Sequence, residues 1–448
     1  MLAKEAISLE RTAPRYTSYP TAPHFGPAVD ESTYTSWLND LSRSDAVSFY
    51  LHVPFCEKMC LYCGCNTKAT RRVEPIELYA ERLIGEINLV AENTVCRKLV
   101  HLHWGGGTPS ILGSDRLREI VAQLATRYDL SALKEHAIEL DPRHVTKALA
   151  DALVDIGVTR ASLGVQDLSD HVQQIIGRVQ PFTMVRRAVD ILREVGIDQI
   201  NIDLMYGLPK QSEQDVQRTA ILAHELKPQR LAVFGYAHVP WFKPHQRRLN
   251  EAMLPGSAER FAQAKAARET LTSLGYEPIG LDHYAKPADI LAIAARGGKL
   301  RRNFQGYTTD DADALLGLGT SAIGRLRQGF VQNPPDTGSY SRAIMAGGLA
   351  TIKGLALSVD DHMRGRIIEE LMCNLSCNID QVADDFGHRC ASFEQEIKTL
   401  LPFVANGFAH IDGHHIAVTE SGRPYLRLIA AAFDSYAPNS RAHHSIAV

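Results

Sequence analysis

The sequence predicts an α/β protein: an incomplete (β/α)6 barrel, preceded by an N-terminal extension and followed by a mainly helical, winged-helix-like C-terminal domain. Three observations carry this. Short apolar segments alternate with amphipathic ones from about residue 47 to 237, the pattern of strand–helix units joined by right-handed crossovers. Residues able to do chemistry recur where those apolar segments end, and barrels and open α/β sheets keep their sites at C-terminal strand ends. Beyond about residue 345 the alternation gives way to helical stretches and one hairpin signal. The expected divisions are 1–44 for an extension covering the barrel mouth, 45–345 for the barrel with its following loops, and 346–448 for the C-terminal domain. A doubly wound open sheet satisfies the same pattern.

Each element has a local reason. The extension contains Arg15-Tyr16-Thr17-Ser18-Tyr19-Pro20-Thr21, too aromatic for a disordered tail, so an ordered segment is expected. The first strand, 47–53, runs into Pro54 and a cysteine-rich stretch. The second, 99–104, runs into Gly105-Gly106-Gly107-Thr108-Pro109. Ser114 is expected to cap the next helix, whose Leu117, Ile120, Val121 and Leu124 share a face. The third strand, 136–140, carries Glu139, and Thr146 caps a helix stopped by Gly157. The fourth, 160–165, precedes Gln166, and Thr183 is expected to cap a helix ending at Gly196. The fifth, 199–205, carries Asp203, and Ser212 caps a helix ending near Leu226 and Pro228. The sixth, 230–237, ends at Ala237, and a helix over 257–274 closes at Gly275. Farther on, 364–375 and 393–401 read as helices, and 409–418 alternates about Asp412-Gly413 as a hairpin. Thr419 is expected to cap a last helix.

Composition bounds the function. The 448 residues are 45% hydrophobic and 22% charged, with a net charge of −3 and a pI near 6.7. Neither a nucleic-acid footprint nor a membrane span is expected. Charges at Lys4 and Glu5 interrupt any signal-peptide core, so the expected location is the cytoplasm. Cys373 and Cys377, four apart in an apolar helical pattern, are expected to share a buried face. Cys96 and Cys390 are scattered.

The chemistry concentrates at Cys56, Cys60 and Cys63, spaced C-x-x-x-C-x-x-C. Structural zinc usually takes two C-x-x-C pairs, or cysteine with histidine, at longer separation, and a disulfide is not expected without export. A [4Fe–4S] cluster with three thiolate ligands keeps one iron open for a small molecule. The stretch, with Tyr62 just before the third cysteine, resembles the radical S-adenosylmethionine (SAM) enzymes. The glycine run offers bare backbone to a ligand and lacks the Rossmann and Walker spacings. Glu139 and Asp203 are acids on apolar strands, costly unless paired or ligand-bound. Cys65 reads equally as a spare thiol, a fourth ligand in a ligand-free state, or a catalytic group. His52 and His103 read as scaffolding hydrogen bonders. Arg301-Arg302-Asn303-Phe304-Gln305-Gly306-Tyr307-Thr308 suits a flat, carboxylate-bearing ligand or a solvated loop.

Several strings narrow the resemblance: Tyr-Leu-His-Val-Pro-Phe-Cys, the Cys-Gly-Cys ending, His-Trp-Gly-Gly-Gly-Thr-Pro, Gly-Val-Gln-Asp, Asn-Ile-Asp-Leu-Met-Tyr-Gly-Leu-Pro, Tyr-Ala-His and Arg-Asn-Phe-Gln-Gly-Tyr-Thr-Thr occur in this order. Across essentially the whole chain this resembles the oxygen-independent coproporphyrinogen III oxidases. The resemblance implies that Cys56, Cys60 and Cys63 bind a [4Fe–4S] cluster, with Cys65 unligated. It implies that Tyr50, Tyr62, Gly106, Gly107, Thr108, Glu139, Gln166, Arg178, Asp203, Ala237 and Ile323 line a region for one or two SAM molecules, with Tyr62 and Ile323 near the second. Cys65 and Tyr62 are the candidate catalytic side chains. The implied reaction turns two propionates of coproporphyrinogen III into vinyl groups through a 5′-deoxyadenosyl radical, giving protoporphyrinogen IX. The implied partners are an electron donor such as flavodoxin or ferredoxin and an unidentified electron acceptor, with the chain a monomer. The rival readings are a haem-carrying chaperone and a radical enzyme that methylates or opens a tetrapyrrole.

Overall fold

The structure, a computed structural model, describes residues 12–387 and 393–437; the expectations placed on Lys4, Glu5 and Cys390 lie outside them. The barrel strands are β1 (Ala46–Val53), β2 (Lys98–Gly106), β3 (Glu135–Leu140), β4 (Arg160–Gln166), β5 (Gln199–Tyr206) and β6 (Arg230–Gly235). They lie side by side in chain order and pair in parallel. The (β/α)6 expectation holds for these and is extended. The strand Ala314–Leu318 joins β1 in parallel on its other side, then continues antiparallel through Ile323–Leu326, Gly329–Gln332 and Lys353–Ala356. At the far edge β6 pairs antiparallel with His283–Ala285. Among the described residues the two edges do not pair with each other, so the barrel stays open on one side.

Strand periodicity separates two faces. Val47, Phe49, Leu51 and Val53 of β1 share a core with Ile76, Leu83, Ile87 and Val90 of the helix Val73–Glu92. Burying each such side chain is worth about 1.5–3 kcal/mol. The alternate residues, Ser48, Tyr50 and His52, face the barrel axis with His103, Glu139, Ser162 and Asp203, which hydrogen-bond among themselves. A complete (β/α)8 barrel fills its axis with branched apolar side chains; this one keeps a polar interior. A buried ion network closes its N-terminal end. Arg160 Nε meets Glu135 at 2.8 Å and Arg230 Nε meets Asp289 at 2.8 Å, with cross-pairs at 3.7 Å. Buried charges require such pairing.

Local chemistry corrects some boundaries. The helix expected to begin at the Ser114 cap is Ser114–Arg127, capped by Gly113. That expected from Thr183 is Phe182–Glu194, beginning directly after Pro181, which stands at the N-cap with its backbone still extended at ψ 152°. Thr146 and Ser212 do cap, each accepting from a backbone N–H three residues on. Ser358 forms a capping box with Asp361, so the helix expected over 364–375 starts earlier, at Val359–Asn374.

In the C-terminal domain the strands Ser376–Asn378, His415–Val418 and Ala409–Asp412 form one antiparallel sheet in that order. Cys373 and Cys377 do not share a helical face. The helix ends at Asn374, Leu375 turns left-handed at φ 57°, and Cys377 lies on a strand. Both are buried, in different clusters. Thr419 caps no helix; its hydroxyl accepts from Gly422 N in a turn before the 3₁₀ segment Arg423–Tyr425.

The leader is pinned. Tyr16 Oη donates to Asp434, Tyr19 Oη pairs with Ser435, and Arg427 donates to the carbonyls of Ala13 and Pro14. Arg302 donates to the carbonyls of Arg15 and Tyr16, and Arg15 to that of Gly235 at the end of β6. The hairpin 301–308 spans the open side: Tyr307 packs edge-on to His283 at one sheet edge, and nearby Asp310 accepts from Ser48 of β1.

One buried polar cluster sets where β1 ends. Glu86, on the inner face of Val73–Glu92, accepts from Gly319 N at 2.6 Å, Asn333 Nδ2 at 2.6 Å and Tyr340 Oη at 2.7 Å. Tyr79, two helical turns earlier, donates to His52 O at 2.6 Å and accepts from Thr320 N. Burial pushes the Glu86 carboxyl up to about 7, its three donors opposing. The folded state therefore binds a proton that the unfolded chain has lost, so this group's contribution to stability is present below about pH 4.5 and is lost as pH rises through about 7. Between pH 6 and 8 the wild-type chain should lose about 1 kcal/mol from this source. Glu86→Gln should flatten that slope in urea unfolding at the two pH values; an unchanged slope would refute the assignment.

Candidate active site

The cysteine loop has little regular structure, so its shape is imposed from outside. Phe55–Cys56 pairs with Lys68–Ala69, closing the loop at its base. Leu61 N donates to Ile176 O at 3.0 Å, and Tyr62 is buried among Val172, Ile176, Leu208, Tyr236 and Leu249. Donors converge on the sulfurs. Thr108 Oγ1 lies 3.4 Å and Thr67 Oγ1 3.3 Å from Cys56 Sγ, and Arg178 Nη1 lies 3.5 Å from Cys60 Sγ. Hydrogen bonds donated to sulfur suit thiolate ligands of a cluster. Among the described residues no three His, Cys, Asp or Glu gather tightly enough to enclose a single ion; a cluster instead takes each thiolate on a different iron. The Cys63 thiol is lowered to about 7, first by the hydrogen bond with Cys65 and then by Lys243 and Arg178 against the effect of burial. Burial raises Cys56. Cys65 is exposed to solvent.

Arg178 is buried and fully committed. It meets Asp141 at 3.4 Å, donates to Gly164 O at 2.6 Å and to Gln180 Oε1 at 3.1 Å, and reaches Cys60. Gln166 sits beside it at a left-handed φ of 69°, where the β4–β5 register shifts. Such strain in a non-glycine residue is sustained only by its surroundings.

The glycine run is bare by necessity. A Cβ on Gly105 would lie 2.8 Å from Glu139, on Gly106 2.5 Å from the His52 ring, and on Gly107 2.5 Å from Phe55 O. Gly106 also has φ 106°. Gly106 N donates to Glu139 at 3.2 Å, and His103 Nε2 lies 3.4 Å from the same carboxylate. Tyr50 Oη and His52 Nδ1 are 3.0 Å apart, and His52 Nε2 donates to Asn66 O, which makes both histidines scaffolding groups. Asp203 accepts from Ser162 and Asn201, and is pushed up to about 6 by burial and then by Glu139.

The structure therefore brings Tyr50, Gly106, Gly107, Thr108, Glu139 and Asp203 to the polar end of the barrel, with Gln166, Arg178, Tyr62 and the cysteines beside them. Ala237 joins through Gln246, whose Nε2 is shared between the carbonyls of Ala237 and Tyr62. Ile323 stands across the next strand, its carbonyl against Gly317, which is the register partner of Tyr50. Sequence reasoning missed Asp141, Gln246 and His245. Asp141 carried a legible signal, an acid immediately after a strand; Gln246 and His245, deep in an irregular loop, carried none.

A parallel barrel with three cysteines on the loop after its first strand, and a bare glycine run after its second, defines a radical SAM enzyme. Residues 50–223 match the model of the Radical SAM superfamily, and 357–425 that of the HemN C-terminal domain. The chain is 44% identical over the whole of both chains to oxygen-independent coproporphyrinogen III oxidase from Bradyrhizobium diazoefficiens. It is 40% identical over 94% of each chain to the same-named protein of Paracoccus denitrificans. The solved structure of coproporphyrinogen III oxidase (HemN) from Escherichia coli superposes with a TM-score of 0.90, at 36% identity, covering 94% of this chain and 97% of that one. The chain belongs to the oxygen-independent coproporphyrinogen III oxidase family.

Replacing Cys56, Cys60 or Cys63 by Ser should abolish the [4Fe–4S] absorbance and iron content after anaerobic reconstitution. Cys65→Ser should retain both. A full iron and sulfide complement in Cys60→Ser, with intact SAM cleavage, would remove that residue from the ligand set.

Proposed function

We infer that this chain carries out the oxygen-independent oxidative decarboxylation of two propionates of coproporphyrinogen III to vinyl groups, giving protoporphyrinogen IX. The observation that carries the reading is similarity along nearly the whole chain to proteins of that name, at 44% and 40% identity, joined to a thiol loop and polar barrel end suited to the chemistry. When bound, the cluster and SAM would supply one-electron radical chemistry able to take a hydrogen atom from a propionate β-carbon. The substrate then loses CO2 and one electron to an acceptor, which leaves the vinyl group.

The chain's own residues hold, orient and shield. Cys56, Cys60 and Cys63 are the proposed cluster ligands, their sulfurs fixed by Thr67, Thr108 and Arg178. The N–H groups and carbonyls of the glycine run, with Glu139, receive the ammonium and carboxylate end of SAM, and Asp203 accepts from its ribose hydroxyls. Tyr50, Tyr62, Gln166, Ala237 and Ile323 complete that region. A separate cavity of about 440 Å³ on the open side is lined by Tyr16, Arg301, Arg302, Phe304, Arg325 and Phe330. Arg301 and Arg325 offer it guanidinium groups for propionates, beside the acids Asp310, Asp311, Asp313, Asp361 and Glu369 that also line it, and its rings match a tetrapyrrole face, so it is the proposed substrate entry. The two motifs outside the six barrel units, the leader and the 301–308 loop, meet there. A small carrier such as flavodoxin or ferredoxin supplies the electron, and the chain works as a cytoplasmic monomer. Among the described residues no helix is long and apolar enough to cross a membrane.

Under anaerobic conditions with excess SAM, mass spectrometry should record two CO2 lost per porphyrinogen through a mono-vinyl, tri-propionate intermediate. Tight haem binding with no CO2 released would favour a chaperone, and methyl transfer or ring opening a different radical enzyme. SAM binding tests the Asp203 assignment separately. The carboxylate form is the acceptor, so affinity should fall as pH drops through about 6. Asp203→Asn should bind about tenfold more weakly at pH 8, without that pH dependence; an unchanged profile would exclude the role.

A further inference from the structure

The loop that follows β6 has an unusual outer face. Trp241 and Phe242 are adjacent, and 58% and 70% exposed. A lone exposed apolar residue means little, but two large adjacent rings that are both largely exposed mark an interaction surface. Arg247 and Arg248, a few residues further along the same loop, are exposed, and Lys243 lies 4.9 Å over the Phe242 ring. Lys58, on the cysteine loop itself, is also exposed. The acids in these two loops are Glu57 and Glu251, each facing a histidine, His144 and His238. The patch is therefore cationic on a chain whose net charge is −3.

The inner face of the same loop is bonded to the cysteine loop. Lys243 Nζ donates to Cys65 O at 2.8 Å, His245 Nε2 to Cys63 O at 2.7 Å, and Gln246 Nε2 to Tyr62 O at 2.9 Å. Gln246 Oε1 accepts from Val239 N at 2.7 Å, which folds the loop over that anchor. The aromatic surface and the backbone of a proposed cluster ligand are thus one hydrogen bond apart at His245.

We propose that residues 239–248 form the docking surface for a small acidic one-electron carrier protein. The proposal rests on the reading above, since each turnover consumes one electron that must enter from outside. Exposed rings flanked by arginines are the composition of protein–protein hot spots. A cationic rim selects an anionic partner and speeds its approach in a salt-dependent way. Electrons arriving here enter beside Cys63, while the proposed porphyrinogen cavity lies elsewhere, so reduction and substrate entry do not compete for one opening.

The test uses the full chain with its cluster reconstituted, and reads bleaching of cluster absorbance by stopped flow rather than porphyrinogen turnover. Reduced flavodoxin is the carrier, and photoreduced deazaflavin, a small neutral reductant, is the control. Trp241→Ala with Phe242→Ala, and separately Arg247→Glu with Arg248→Glu, should each slow reduction by flavodoxin at least tenfold. Reduction by deazaflavin should stay at the wild-type rate. The charge-reversed pair should also lose the salt dependence, and Trp241→Phe should keep most of the rate. Equal rates with flavodoxin, or equal slowing by both reductants, would overturn the proposal. Because cluster reduction is read directly, failure here is distinct from an absence of decarboxylation.

Discussion

The organisation of this molecule depends on burying a permanent positive charge beside a thiol. Arg178 cannot shed its proton, so every atom of its guanidinium needs a partner once it leaves water. Asp141 comes from the end of β3, Gly164 O from β4, Gln180 from the turn before the next helix, and Cys60 from the loop after β1. Satisfying the arginine therefore requires these segments to meet at one point. The loop bearing the cysteines has few internal hydrogen bonds, so it borrows its order from this meeting and from the packing of Tyr62.

A second constraint is that the barrel axis is kept polar. Residues on the inner face of each strand are left for a ligand instead of for packing, so the main apolar core of the barrel lies between its strands and the helices outside them. The incomplete closure that follows would leave one wall missing. The extra strands after Ala314, the 301–308 hairpin, the leader and the C-terminal domain supply it. Glu86 and Tyr79 work from the outer side: they tie the end of β1 to the turn after Ala314–Leu318, which holds the start of the cysteine loop against the new wall.

Much of this was legible in the chain. Period-2 strands and period-3.6 helices identified the six units, and the strand-end positions of Gly106, Glu139, Gln166 and Asp203 are those the structure brings together. The failures have physical causes. Ser114 and Thr183 looked like caps, but Gly113 and Pro181 ended the preceding loops one or two residues sooner. Cys373 and Cys377 kept helical spacing across a left-handed Leu375, a conformation that leucine does not announce. The strand Ala314–Leu318 was invisible as a barrel member because a short hairpin, 301–308, and not a crossover helix leads into it. Gln246 and His245 act through backbone carbonyls far away in sequence, and such pairings leave no local pattern.

The leader's partners have a bearing on biosynthesis. Residues 13–19 are synthesised 413 to 418 residues ahead of Arg427, Asp434 and Ser435, to which they bond. Domains fold as they emerge, N-terminal parts first, so the parallel strands assemble while this clasp has only one half. During that interval the leader lacks its C-terminal partners, and the cysteine loop is already present. The clasp can form only once Arg427, Asp434 and Ser435 have been made, so closing the wall beside β6 is a late step that comes after the cysteine loop is already in place.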